Sequence, residues 1–288
     1  MLREPVGTRP GGLLNNGASM PISNEYEDLR LPESGGDIHE RIDELVKSMR
    51  MRGELDGSPT SILLGQHYHL GGLDATKILA GKAAFSSDDV ILDVCCSVGG
   101  STRYLAYSVG CRTVGLDSDA RLIALARRLT ELAGLGDRVT FVQEDLYRAD
   151  QLGQPFSGIW SEASLDNSLD WLPALNEVLL PGGTLAISLC VRAENASSGP
   201  PNSLSDVILL LSTRGFDVLY SQDMREWEIE HGWKTLLREL DEKQSFYEGA
   251  LGTDWVQRAR ERFHSELEIW STTAGNAFIV ARKKGNVA

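Results

Sequence analysis

Apolar positions along the chain follow two different periods, and the way these periods alternate predicts a fold. Ile38, Ile42, Leu45, Val46 and Met49 recur at helical spacing, which predicts an amphipathic helix over 38–51. Another helix is expected over 73–80. Short continuous apolar runs then predict buried strands at 90–94, 113–116, 139–142, 158–161 and 184–190. Helical stretches at 101–108, 120–133 and 171–180 separate them. Gly134 supplies a left-handed cap for the second of these, and Pro181-Gly182-Gly183 stops the third. The tail predicts a helix at 204–213, a strand at 216–220, helices within the charged and aromatic stretch 224–269, and a last strand at 276–282.

Strands that alternate with helices form βαβ units, so the expected fold class is α/β with a doubly wound, mostly parallel seven-stranded sheet. The expected organisation is a poorly ordered arm (1–37), an N-terminal helical cap (38–85), a cofactor-binding core (86–223), a helical lid (224–274), and a last strand with its tail (275–288). The lid reading rests on a long helical insertion before the last strand, which would hang over the sheet edge.

The most informative chemistry lies in Val90-Ile91-Leu92-Asp93-Val94-Cys95-Cys96-Ser97-Val98-Gly99-Gly100-Ser101-Thr102-Arg103. An apolar strand ends in an acid, a turn of small residues follows, and a helix opens. Small residues let the backbone approach a ligand, and free N–H groups at a helix start can bond to it. The second strand ends in Asp117, placed to accept from ribose hydroxyls, and the third is followed by Glu144-Asp145-Leu146. A dinucleotide oxidoreductase would want Gly-x-Gly-x-x-Gly at the first turn, which this chain does not supply.

This series resembles the class I S-adenosylmethionine-dependent methyltransferases over roughly residues 65–189. Their first motif is Asp-x-Gly-x-Gly-x-Gly. Here Asp93 and Gly99 match it, while Cys95 and Ser97 replace two glycines. The resemblance implies a Rossmann-like fold and S-adenosylmethionine as cofactor. It places the methionine part at Cys95, Ser97 and Gly99, the ribose at Asp117, and the adenine at Asp145 and Leu146. Asp93, Ser118, Ser161 and Gln66 complete the expected cofactor set. Within the family, His69-Leu70-Gly71-Gly72-Leu73 and the lid look like the small-molecule subgroup that includes the sarcosine/dimethylglycine and tocopherol enzymes. If position 97 requires a positive φ, Ser97 carries a strain of about 1 kcal/mol.

Methyl transfer needs a nucleophile held in line and water excluded; a general base is optional for a neutral amine or a thiolate. Tyr68, His69 and Asn167 are the catalytic candidates. His67, Glu162, Asp166, Trp171, Arg192, Trp227, His231 and Trp233 are the substrate candidates, with the acids and aromatics suited to a cation and Arg192 to a carboxylate. No His stands near Asn167, which disfavours base-driven C-methylation. The first reading is therefore methylation of an amine or sulfur nucleophile on a small polar, amino-acid-like metabolite. O- or C-methylation of a larger apolar natural product is the second, and a noncatalytic binding protein the third.

The net charge of −13 over 288 residues argues against nucleic-acid and anionic-membrane partners. A small-molecule substrate and a monomer or homodimer are expected. Cys95, Cys96, Cys111 and Cys190 lack the spacing of a metal site, so none is expected. With neither a secretory signal nor a spanning run in the sequence, a cytoplasmic location is expected.

Overall fold

The computed structural model describes residues 26–33 and 36–285. The arm expected over 1–37 lies mostly outside the described residues, although Tyr26 is buried among Ile42, Val46 and Leu129. Three helices come first: α1 (Ile38–Met51), α2 (Pro59–Leu64) and α3 (Gly72–Ala83). Asp37 and Glu40 form a reciprocal capping box that fixes the start of α1. The core follows as β1 (Val90–Val94), α4 (Gly100–Ser108), β2 (Arg112–Asp117), α5 (Ala120–Leu132), β3 (Val139–Gln143), a 3₁₀ turn (Leu146–Leu152), β4 (Phe156–Leu165), α6 (Leu172–Val178) and β5 (Leu179–Arg192). The tail comprises α7 (Leu204–Thr213), β6 (Phe216–Asp223), α8 (Arg225–Glu228), a π turn (Ile229–Trp233), α9 (Lys234–Glu242), α10 (Gln244–Leu251), α11 (Thr253–Thr272) and β7 (Ala274–Lys283).

The seven strands form one sheet in the order β3-β2-β1-β4-β5-β7-β6. Pairings among β1 to β5 are parallel, and β7 runs antiparallel between β5 and β6. Both faces are buried, which explains why the strands read as continuous apolar runs. On one face Leu92, Ile159, Ile187 and Ile279 pack under α6 and α7. On the other, Ile91, Trp160, Ala186 and Phe278 pack with Leu79 of α3 and Leu105 of α4. The sheet reverses its order beside β1, so the crevice at the carboxyl ends of β1 and β4 is the expected place for a ligand.

The helices between β6 and β7 join Trp233, Leu240, Val256 and Phe263 into a satellite core with Ile62, Leu63 and Leu70. A Cβ on Gly71 would stand 2.5 Å from the Trp227 ring, so the segment after β6 lies directly on this backbone. Several elements differ from the sequence expectation. α2 is too short to show a period. α6 stops at Val178 because Leu179 already pairs with Phe156. β4 extends to Leu165 through a bulge between Glu162 and Leu165, with Ala163 at φ +53°. Among the described residues no helix is long and apolar enough to cross a membrane.

Candidate active site

The turn after β1 sets the geometry. Cys95 (φ +59°), Ser97 (φ +52°) and Gly99 (φ +78°) all adopt the left-handed conformation, and Gly99 caps α4. The three motif glycines thus correspond to three left-handed residues, and this chain keeps the backbone without two of the glycines. Each non-glycine there costs about 1–2 kcal/mol. Neighbouring groups hold the turn. Cys96 N–H donates to Leu116 O (3.0 Å), Ser97 N–H to Asp117 Oδ2 (2.9 Å), and Gly99 N–H to Cys96 O (2.9 Å). Gly115 in β2 makes room: a Cβ there would meet the Phe141 ring at 2.5 Å and Cys96 Sγ at 2.9 Å.

Asp117 ends β2 half-buried, its other oxygen accepting from Asp119 N–H (3.0 Å). Both oxygens keep a lone pair for a diol. Asp145 is exposed beyond β3 and caps the 3₁₀ turn through Tyr147 N–H, while Leu146 packs half-buried against the core. Ser118 is exposed, and its carbonyl accepts from Gln143. Asp93 is buried and accepts from Thr102 Oγ (2.6 Å); burial raises its pKa to about 7. The left-handed cradle and the acids at successive strand ends fit an adenosyl amino acid.

A small cavity of 70 Å³ opens beside this turn, lined by residues that include His67, Tyr68, His69, Asp93, Cys95, Ser101 and Glu162. Glu162 dominates it. Its Oε2 accepts from Ser101 Oγ (2.6 Å), Thr76 Oγ1 (3.1 Å), Trp160 Nε1 (3.2 Å) and His69 Nε2 (3.3 Å). Its Oε1 is buried with no partner among the described residues. The bulge at Ala163 turns the chain just past Glu162, a usual device for aiming a side chain. Burial disfavours a charged His69, but the adjacent Glu162 carboxylate overrides it and raises the His69 pKa. Burial, with His69 and Arg103 nearby, pushes His67 well down, so that ring stays neutral.

Residues 91–183, from β1 to the first part of β5, match the family model described as a methyltransferase domain. This part of the chain is similar to methyltransferase domains. The chain is 32% identical over 126 residues to a sterol 24-C-methyltransferase of Eremothecium gossypii, covering 43% of this chain and 34% of that one. It therefore spans about a third of that relative's length. It is 26% identical over 210 residues to a sarcosine/dimethylglycine N-methyltransferase of Halorhodospira halochloris, covering 67% of this chain and 72% of that one. The fold matches Haemonchus contortus phosphoethanolamine N-methyltransferase 2, solved with phosphomonomethylethanolamine and S-adenosylhomocysteine. That match has a TM-score of 0.68 at 15% identity and covers 87% of this chain and 61% of that one.

Several residues expected to serve the site have partners of their own. Asn167 and Asn202 exchange side chain–main chain bonds (2.8 and 2.6 Å), which locks two loops together. Asp166 is exposed and caps its own turn through Ser168. Trp171 is in the main core, its Nε1 bonded to Asp166 O (2.8 Å). Arg192 bonds Ala196 O and pairs with Asp206 at 3.4 Å. Trp233 packs on Trp270 and Phe263 in the lid core, and His231 is exposed against Trp227. Ser161 is fully buried and bonds Val94 O (3.2 Å). Gln66 uses both ends of its amide, on His39 O (2.8 Å) and Arg103 (2.9 Å). Tyr68 is 42% exposed, with Arg50 over its ring and Ser58 at its hydroxyl. Sequence reasoning missed Thr76, Ser101 and Trp160. Thr76 had a signal, since it is a polar residue on the same buried helix face as Ala75, Leu79 and Ala83.

Proposed function

We propose that this chain transfers a methyl group from S-adenosylmethionine to a nitrogen nucleophile of a small polar molecule. The observation that carries this reading is the buried, unpartnered Oε1 of Glu162 in a cavity beside the Asp93–Gly99 turn. A buried acceptor left open costs free energy until a donor arrives. An amine brings an N–H and a thioether brings no donor, while a thiol brings only a weak S–H donor.

Cys95, Ser97, Gly99 and Asp117 would hold the cofactor, with Asp145 and Leu146 at its adenine end. When bound, S-adenosylmethionine supplies a methyl group already activated on a sulfonium. Glu162 Oε1 accepts the amine N–H and so turns the nitrogen lone pair away from itself. After transfer the nitrogen carries a positive charge, and Glu162 takes the released proton. His69 Nε2 lies 3.3 Å from Glu162 Oε2, and that carboxylate favours the charged form of the ring. Tyr68 and His67 close the cavity rim, and Trp227 presses the lid onto the preceding segment.

A larger cavity of 1110 Å³ lies between α1, α4 and the lid, and His67 lines both cavities. This favours a second reading, in which a bulkier acceptor reaches the transfer point from that side. The test is a screen for S-adenosylhomocysteine release over small amines, thiols and bulky apolar alcohols. Turnover with amines alone supports the first reading. Turnover with the bulky acceptors alone replaces it with the second, and thiol turnover without amine turnover overturns the role given to Glu162.

A further inference from the structure

We infer that Arg103 is a positioning residue whose guanidinium holds the β1–α4 turn in its left-handed form in place of the missing glycines. Arg103 is fully buried on α4, one turn past the Gly99 cap. Its Nη1 donates to Val98 O at 2.8 Å, inside the turn itself, and lies 3.4 Å from Thr130 Oγ1 and 3.5 Å from Ala126 O. Its Nη2 donates to Gln66 Oε1 at 2.9 Å. All four acceptors are neutral, and Nε has no partner among the described residues. A buried guanidinium without a carboxylate is costly to keep. Burial drives its pKa down to about 9, still charged at neutral pH.

The placement explains the cost. Val98 sits between two left-handed residues, Ser97 and Gly99, and its carbonyl is the turn's anchor on the α4 side. The anchors on the other side come from Leu116 and Asp117 of β2. A turn of glycines needs little holding. One containing Cys95 and Ser97 is strained toward ordinary φ values and would relax if either anchor were lost. The strut continues outward: Gln66 Nε2 donates to His39 O and Gln66 N–H to Asp43 Oδ1 (2.9 Å), so α1 braces Arg103. The Gln66 main chain lies against Gly100, where a Cβ would meet its carbonyl at 2.5 Å. Gln66, which also lines the cavity beside the turn, thereby braces Arg103.

The inference rests on the proposed cofactor site, and the experiment separates the two. S-adenosylmethionine affinity is measured by calorimetry for the wild type, Arg103→Met, Cys95→Gly/Ser97→Gly, and the triple variant, with folding checked by circular dichroism. We expect Arg103→Met to weaken binding at least about tenfold and to change kcat at saturating cofactor far less. The affinity of the glycine pair alone sets the reference against which the triple variant is read. Added to Arg103→Met, the pair should restore most of the loss, which a general packing role for Arg103 would not allow. If Arg103→Met does not fold, Gln66→Met carries the test: it removes the brace alone, and its smaller loss should also be recovered by the glycine pair. Unchanged affinity in the Arg103 or Gln66 variant, or no recovery by glycine, overturns the inference. A wild type that binds no S-adenosylmethionine overturns the proposed function instead.

Discussion

The carboxyl edge of the sheet has two halves, and they use their polar residues in opposite ways. On the β1–β2–β3 half, Asp93, Asp117 and Asp145 stand at or just past strand ends, and the turn beside them adopts a conformation that suits a ligand. On the β4–β5 half, Asn167 and Arg192 are bonded to Asn202 and Asp206, and Asp166 to Ser168 in its own turn. Among the described residues Glu162 Oε1 on that half stays open, and it too sits near a strand end. Strand-end position alone does not separate the halves, since Arg192 ends β5 and Asp166 directly follows β4. What separates them is whether a neighbouring loop supplies a partner, because loop backbone and side chains satisfy one another's donors and acceptors.

The largest effect expected from this contrast is at Glu162. Glu162→Gln should lower kcat about 10²–10⁴-fold, the range of a lost acid–base partner. Cofactor affinity, measured by calorimetry, should barely move; an equal loss in both would merge the two halves. Next comes Asp117→Ala. Each charge-assisted bond it loses is worth about 1.5–3 kcal/mol, so the S-adenosylmethionine Kd should rise roughly tenfold to a hundredfold. An affinity unchanged by this substitution would remove the ribose contact.

A pH experiment probes the join between the halves. The His69 pKa is raised in the folded chain, so the His69–Glu162 pair adds stability fully present below the unfolded value of about 6.5. That stability is lost as pH rises through the folded value. Thermal melts should therefore show the His69→Gln deficit shrinking as pH climbs above about 6.5. A deficit that grows would mean the ring is neutral. The smallest effects belong to the locked residues. Asn167→Ala should cost about 1 kcal/mol of stability and leave kcat intact. Arg192→Ala should change the substrate KM by less than about twofold. A tenfold rise in KM would return Arg192 to the substrate site.

Much of the fold was legible because it depends on apolar period and strand ends. The helix over 38–51 and the strand over 90–94 appear with those bounds, and the sheet has the expected seven strands. The β1–β3 edge was legible for the same reason: Asp93, Asp117 and the turn are local in sequence. The β4–β5 edge was not. Whether Arg192 faces a ligand or Asp206 depends on the path of the chain from 193 to 203, which carries no period. The hydrogen bonds that converge on Glu162 from Thr76, His69, Ser101 and Trp160 join four elements far apart in the chain. Trp233 was ambiguous because a buried tryptophan suits a core and a cation cage equally; it packs on Phe263 and Trp270.

The most direct measurement is a crystal structure of the chain grown with S-adenosylhomocysteine. The account expects the adenosyl group along Asp117, the amino-acid end against Cys95–Gly99, and the sulfur turned toward the cavity that holds Glu162. A turn left bare at saturating ligand, or one whose Cys95 and Ser97 have relaxed to negative φ with the ligand seated elsewhere, would contradict it.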